Sequence, residues 1–154
     1  MTNYELKFVN YDIVFQEVPD EVTLAIHIAN CPNRCNGCHS PHLQEDTGEI
    51  LDETVLERLL EKYGNAITCV CFMGGDNSPE EVLHLAKFVR QFQKKTAWYS
   101  GNSELYKGAQ HCFDYIKIGA YMEELGGLNS PTTNQRFYKI ENGEMMDCTI
   151  KFVS

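Results

Sequence analysis

Cys31, Cys35 and Cys38 stand in Cys31-Pro32-Asn33-Arg34-Cys35-Asn36-Gly37-Cys38, directly after the apolar run of residues 22–29. Three thiolates this close suit an iron–sulfur cluster. A cubane of four irons needs four ligands, so this spacing leaves one iron without protein sulfur. By the logic that separates open catalytic metal sites from closed structural ones, that corner is left for a small molecule. Zinc is the rival, because His39 or His42 could complete a Cys3His site. The setting weighs against it: structural zinc usually holds together small modules, whereas this loop sits at the mouth of a fold whose core needs no metal.

Two further features carry chemistry. Gly74-Gly75-Asp76 offers backbone amides and carbonyls unobstructed by side chains, so a ligand can approach closely. A plain strand-to-helix turn reads the same way, and Asp76 near a helix start is favoured by the dipole in any case. Cys69 and Cys71, two apart on a predicted strand, point to one face. A second metal site is conceivable there, but two small buried apolar side chains explain them more simply. Cys112 and Cys148 are isolated and receive no role, and the charges of residues 52–62 read as a solvated helix face.

The bulk numbers bound what holds these residues. The chain has 154 residues, 43% hydrophobic, enough for one domain over residues 1–154 with a sizeable core. Its 13 Lys+Arg against 22 Asp+Glu give a net charge of −9, which disfavours nucleic acid and anionic membranes as partners. No stretch reaches the roughly 20 apolar residues of a membrane span, and the first seven residues lack the pattern of a signal peptide. A cytoplasmic protein is expected. Seven cysteines is an odd count with no mark of secretion, so reduced thiols and metal ligation fit better than disulfides.

The pattern of elements is alternating. Residues 11–16 and 22–29 are β-rich runs joined by a turn at Val18-Pro19-Asp20. Val55, Leu56, Leu59, Leu60 and Tyr63 recur at helical spacing from about Asp52, with Gly64 as C-cap. Residues 67–73 read as a buried strand stopped at Gly74-Gly75. Ser78-Pro79-Glu80-Glu81 then reads as a capping box opening a helix to about Gln93, with Val82, Leu85, Ala86, Val89 and Phe92 on its apolar face. Residues 96–99 and 113–118 are further strands, and Asn142-Gly143 between residues 136–141 and 144–149 predicts a C-terminal hairpin.

This β-α-β-α-β series predicts an α/β fold of mostly parallel strands linked by right-handed crossover helices. On that frame the cysteine loop, Gly74-Gly75-Asp76, Ser100-Gly101 and Gly119 all fall at C-terminal ends of strands. That edge is where parallel α/β sheets and barrels bind ligands, so the four features converge on one cleft.

The combination resembles the radical S-adenosylmethionine superfamily, with its Cys-x3-Cys-x2-Cys signature after the first barrel strand and a Gly-Gly-acidic segment after the second. Residues 31–39, Gly74-Gly75-Asp76, Trp98-Tyr99-Ser100-Gly101 and Ser130-Pro131-Thr132-Thr133-Asn134-Gln135-Arg136 narrow the resemblance to the activating proteins of anaerobic (class III) ribonucleoside-triphosphate reductases. It extends over about residues 14–138. It implies a partial, open TIM-like barrel and a [4Fe-4S] cluster on Cys31, Cys35 and Cys38, whose unique iron is chelated by the amine and carboxylate of S-adenosylmethionine.

One electron from the reduced cluster then breaks the C5′–S bond, giving methionine and a 5′-deoxyadenosyl radical that takes a hydrogen atom from a glycine of the reductase. The resemblance places Gly37, Cys38 and His39 along the adenosine side of the ligand, and Gly74, Gly75 and Asp76 at the methionine ammonium. Ser100 and Lys117 are weaker candidates, and Asn134, Gln135 and Arg136 match a family segment of underived role. No catalytic residue beyond the cluster ligands is implied. The implied partners are the reductase and a flavodoxin-like electron donor.

Two departures from the wider superfamily stand out. Gly37 occupies the place of an aromatic residue before the third cysteine, and Asn77-Ser78 separates Asp76 from Pro79. Two other functions stay open on the residues alone: a zinc-stabilised binding module without catalysis, and an activase of a different glycyl radical enzyme.

Overall fold

The computed structural model describes residues 6–15, 18, 21–28, 49–76, 78–102, 104–119, 122, 124–128, 130 and 133–149. Among them the strands are β1 (Lys7–Val14), β2 (Thr23–Ile28), β3 (Glu49–Ile50), β4 (Cys69–Met73), β5 (Lys95–Tyr99), β6 (Tyr115–Ile118), β7 (Arg136–Glu141) and β8 (Glu144–Asp147). Helix α1 (Glu53–Tyr63) precedes β4, and α2 (Pro79–Arg90) joins β4 to β5. All eight strands form one sheet in the order β3-β1-β2-β4-β5-β6-β7-β8.

The expectation of mostly parallel strands needs correction. Four of the seven pairings are antiparallel, and a TIM-like barrel of parallel strands is not what these residues build. The parallel set is confined to the centre, β2-β4-β5-β6. The flanking strands follow connections that carry no crossover helix among the described residues, and such strands fold back antiparallel. The central strands read as near-continuous apolar runs because both of their faces are covered.

The strand alternation sorts the core. Leu24, Ile26, Ile28, Val70, Phe72, Trp98 and Ile116 face the helices and pack on Leu56, Leu59 and Leu60 of α1 and Val82, Leu85, Ala86 and Val89 of α2. Each such fully buried aliphatic side chain contributes roughly 1.5–3 kcal/mol. The other face carries a smaller cluster of Val18, Cys69, Cys71, Ala97, Tyr115 and Phe137.

Several predicted ends hold. Asp52 caps α1, its Oδ1 accepting from Val55 N at 2.9 Å, and Gly64 terminates it at φ +46°. Lys94 Nζ adds hydrogen bonds to the carbonyls of Gly64 and Ile67 at 2.7 and 2.8 Å. Asn142 and Gly143, at φ +52° and +78°, make the predicted hairpin turn between β7 and β8.

The capping box does not form. Ser78 gives no side-chain cap, and Glu81 Oε2 instead accepts from Leu6 N at 3.0 Å. The chain entering β1 has a backbone donor to satisfy, and Glu81 is the acceptor within reach. Strand β3, two residues pairing with Lys7 and Phe8, is too short for periodicity to reveal. No helix among the described residues is long and apolar enough to cross a membrane.

Candidate functional site

The site grows from the end of β4. Gly74 and Gly75 lie at φ +105° and +86°, a region that side-chain-bearing residues enter only with strain. A Cβ on Gly75 would sit 2.6 Å from Val82 Cγ2, and one on Gly74 would sit 3.2 Å from the carbonyl oxygen of Ile28. Packing against α2 and the end of β2 therefore demands both glycines.

That tight turn has fixed polar partners. Gly74 N–H donates to the Tyr99 carbonyl at 3.0 Å, the Trp98 indole N–H donates to the Gly74 carbonyl at 2.7 Å, and Ser78 N–H donates to the Gly75 carbonyl at 3.0 Å. The Asp76 carboxylate spans to the end of β5: the Ser100 hydroxyl donates to Oδ1 at 2.5 Å and Gly101 N–H to Oδ2 at 2.9 Å. A carbonyl or carboxylate oxygen has two lone pairs, so more than one donor can share it. The result is a rigid row of acceptors, one of them charged, suited to a cationic donor such as an alkylammonium group.

The other strand ends join the same edge. Ser100 N–H donates to the Lys117 carbonyl at 2.8 Å, and Gly119 N–H donates to the Asn102 carbonyl at 2.7 Å. Lys117 Nζ lies 5.4 Å from the centre of the Tyr99 ring. Gln135, nearly buried, donates from Nε2 to the Gly119 carbonyl at 3.1 Å. Gln135 thereby buttresses the end of β6, a role its sequence segment did not disclose. Arg136 opens β7 with its Nη1 3.8 Å from Asp147 Oδ2.

Of the predicted site residues, Gly74, Gly75, Asp76 and Ser100 are brought together. Cys31, Cys35, Cys38, Gly37, His39 and His42 lie outside the described residues, in the segment that leaves β2 after Ile28. Ile28, the last described residue before that segment, packs directly on Gly74.

Cys69 and Cys71 are buried on the sheet face opposite the helices. Burial first, then the neighbouring Cys71 and Glu21, pushes the Cys69 thiol well above its usual range. A thiol held protonated is a poor metal ligand, and no group of three His, Cys, Asp or Glu among the described residues could hold a metal ion.

One buried polar cluster escaped the sequence reading. At the N-terminal edge of the parallel strands, Glu21 accepts from the Thr68 hydroxyl at 2.7 Å and the Tyr115 hydroxyl at 2.8 Å, with Lys95 Nζ at 3.3 Å. Burial alone would raise its carboxyl, but these hydrogen bonds and the Lys95 charge prevail, and the net shift is downward. Burial and the Glu21 charge push the Tyr115 phenol up. The sequence signal was a polar residue at or just before the start of each parallel strand. The cluster closes the end of the sheet opposite the acceptor row.

No curated protein and no solved structure matches the chain. The family described as the 4Fe-4S single cluster domain matches residues 21–116, a span that runs from the start of β2 into β6. That span holds Cys31, Cys35 and Cys38 together with the acceptor row after β4, and it covers more than half of the 154 residues. The chain belongs to the 4Fe-4S single cluster domain family.

Proposed function

We propose that this chain is a radical S-adenosylmethionine activase that makes a glycyl radical on an anaerobic ribonucleoside-triphosphate reductase. Cys31, Cys35 and Cys38 would hold the [4Fe-4S] cluster. The observation that carries the reading is the acceptor row of Gly74, Gly75 and Asp76, packed against Ile28, within a chain that belongs to a 4Fe-4S family.

Held by Cys31, Cys35 and Cys38, such a cluster would supply the one electron that reductive cleavage of the C5′–S bond of S-adenosylmethionine, to methionine and a 5′-deoxyadenosyl radical, requires. This chain's residues bind and orient. The carbonyls of Gly74 and Gly75 and the Asp76 carboxylate accept from the methionine ammonium, with Trp98 and Ser78 holding the two carbonyls in place. Gly37, Cys38 and His39 would line the adenosine side of the ligand through their backbone. Membership in a 4Fe-4S family supports the cluster over a Cys3His zinc module.

The test is anaerobic reconstitution followed by dithionite and S-adenosylmethionine. Close to four iron and four sulfide per chain, with release of methionine and 5′-deoxyadenosine, is expected. A fully loaded cluster that cleaves nothing, or one tightly bound zinc in a colourless air-stable protein, overturns the proposal. Adding the reductase and a flavodoxin-like donor should then produce a glycyl radical signal in electron paramagnetic resonance. Cleavage without that signal would move the target to another glycyl radical enzyme.

A further inference from the structure

The geometry points to a latch: Asp76 and Ser100 tie the end of β4 to the end of β5, and Ser100 is a positioning residue that acts through Asp76 without touching the ligand. This inference rests on the function proposed above and adds a division of labour within its ligand site.

Ser100 is 4% exposed, and its hydroxyl is already engaged as donor and as acceptor. Its one proton goes to Asp76 Oδ1 at 2.5 Å, and its oxygen accepts from Asn102 N–H at 3.1 Å. A buried hydroxyl so occupied is poorly placed to read a sugar hydroxyl. Asp76 is in the opposite position. It is only half-buried, and the β5 turn donates to both of its oxygens through Ser100 Oγ and Gly101 N. A carboxylate offers about four acceptor sites, and a cation can share its oxygens with the donors already there. The two donors also fix where those sites point, since a carboxylate held by two partners on one strand end has lost its rotamer freedom before any ligand arrives.

The short aspartate arm suits this task. A glutamate would carry the same charge one methylene farther and could not keep both the Ser100 and Gly101 bonds at these lengths. Ser100 N–H is itself anchored to the Lys117 carbonyl at 2.8 Å, so the latch extends the order of β6 through β5 to the ligand-facing carboxylate.

The test is a double-mutant cycle on the full cluster-loaded chain, with Asp76→Ala, Ser100→Ala and the double variant, read as the dissociation constant for S-adenosylmethionine. Hydrogen exchange of the peptide over residues 98–102 is followed without ligand. Ser100→Ala should weaken binding about three- to tenfold, the share of one hydrogen bond to a charged group. The double variant should bind no worse than Asp76→Ala alone, and Ser100→Thr, which keeps the hydroxyl, should restore binding. Exchange at Gly101 should quicken in both single variants. Losses that add in the double variant, or an unchanged Gly101 amide, would overturn the latch while leaving the proposed function standing. A wild-type chain with a complete cluster that binds no S-adenosylmethionine would sink both.

Discussion

The Tyr115 hydroxyl donates to Glu21 Oε2 at 2.8 Å across 94 residues of sequence, and this bond closes one end of the parallel sheet. Asp76 and Ser100 do the corresponding work at the other end, where chemistry is proposed. The fold thus carries two separate polar clusters at opposite ends of the parallel strands, which makes their contributions separable by mutation.

Glu21→Gln removes a carboxylate whose side chain is 7% exposed and leaves Lys95 without its counter-charge. A loss of about 1–3 kcal/mol at neutral pH is expected, measured from urea midpoints. The Glu21 carboxyl is held below its ordinary value of 4.5 in the folded chain. Its stabilisation is therefore complete above that value and is lost as pH falls through the depressed one. The gap between wild type and variant should shrink on acidification below about pH 4.5; a constant gap would show that the ionised form contributes nothing.

Gly75→Ala should destabilise by about 1–3 kcal/mol, because the new Cβ meets Val82 Cγ2 at 2.6 Å in a backbone already at φ +86°. Gly64→Ala is the control. Gly64 also has positive φ, but a Cβ there meets nothing within 4 Å, so only backbone strain of about 1 kcal/mol applies. Equal losses at the two positions would show that contact with α2 is unimportant.

Trp98→Phe keeps most of the aromatic packing on Phe113 while deleting the indole donor to the Gly74 carbonyl. About 1–2 kcal/mol of stability should be lost, with weaker binding of S-adenosylmethionine as the Gly74 carbonyl loses its anchor. Thermal melts and equilibrium binding check the two effects independently.

Cys31→Ala, Cys35→Ala and Cys38→Ala should each abolish cluster assembly and 5′-deoxyadenosine formation. The buried side chains of β2, β4 and β5 pack on those of α1 and α2, so the chemical denaturation midpoint of each cluster-free variant should stay close to that of the cluster-free wild type. Full activity in any one variant would remove that residue from the ligand set.

Much of the frame was legible along the chain. Apolar periodicity located both helices and most strands, Asp52 and Gly64 marked the ends of α1, and Asn142-Gly143 marked the hairpin. These are local effects, decided by residues within a few positions of one another. The cysteine spacing likewise carries its chemical meaning locally, since a cluster ligand set is defined by which thiolates can reach one centre.

Tertiary structure alone decided the rest. Strand direction depends on how the chain returns, and the antiparallel flanks of the sheet left no periodic trace in the sequence. Glu81 took the Leu6 amide instead of closing a capping box, because a distant donor needed a partner. The bonds from Ser100 to Asp76 and from Gln135 to Gly119 join segments far apart in the chain. Sequence therefore names the groups able to do the chemistry, and folding selects their partners, because a hydrogen bond depends on separation in space and not on position along the chain.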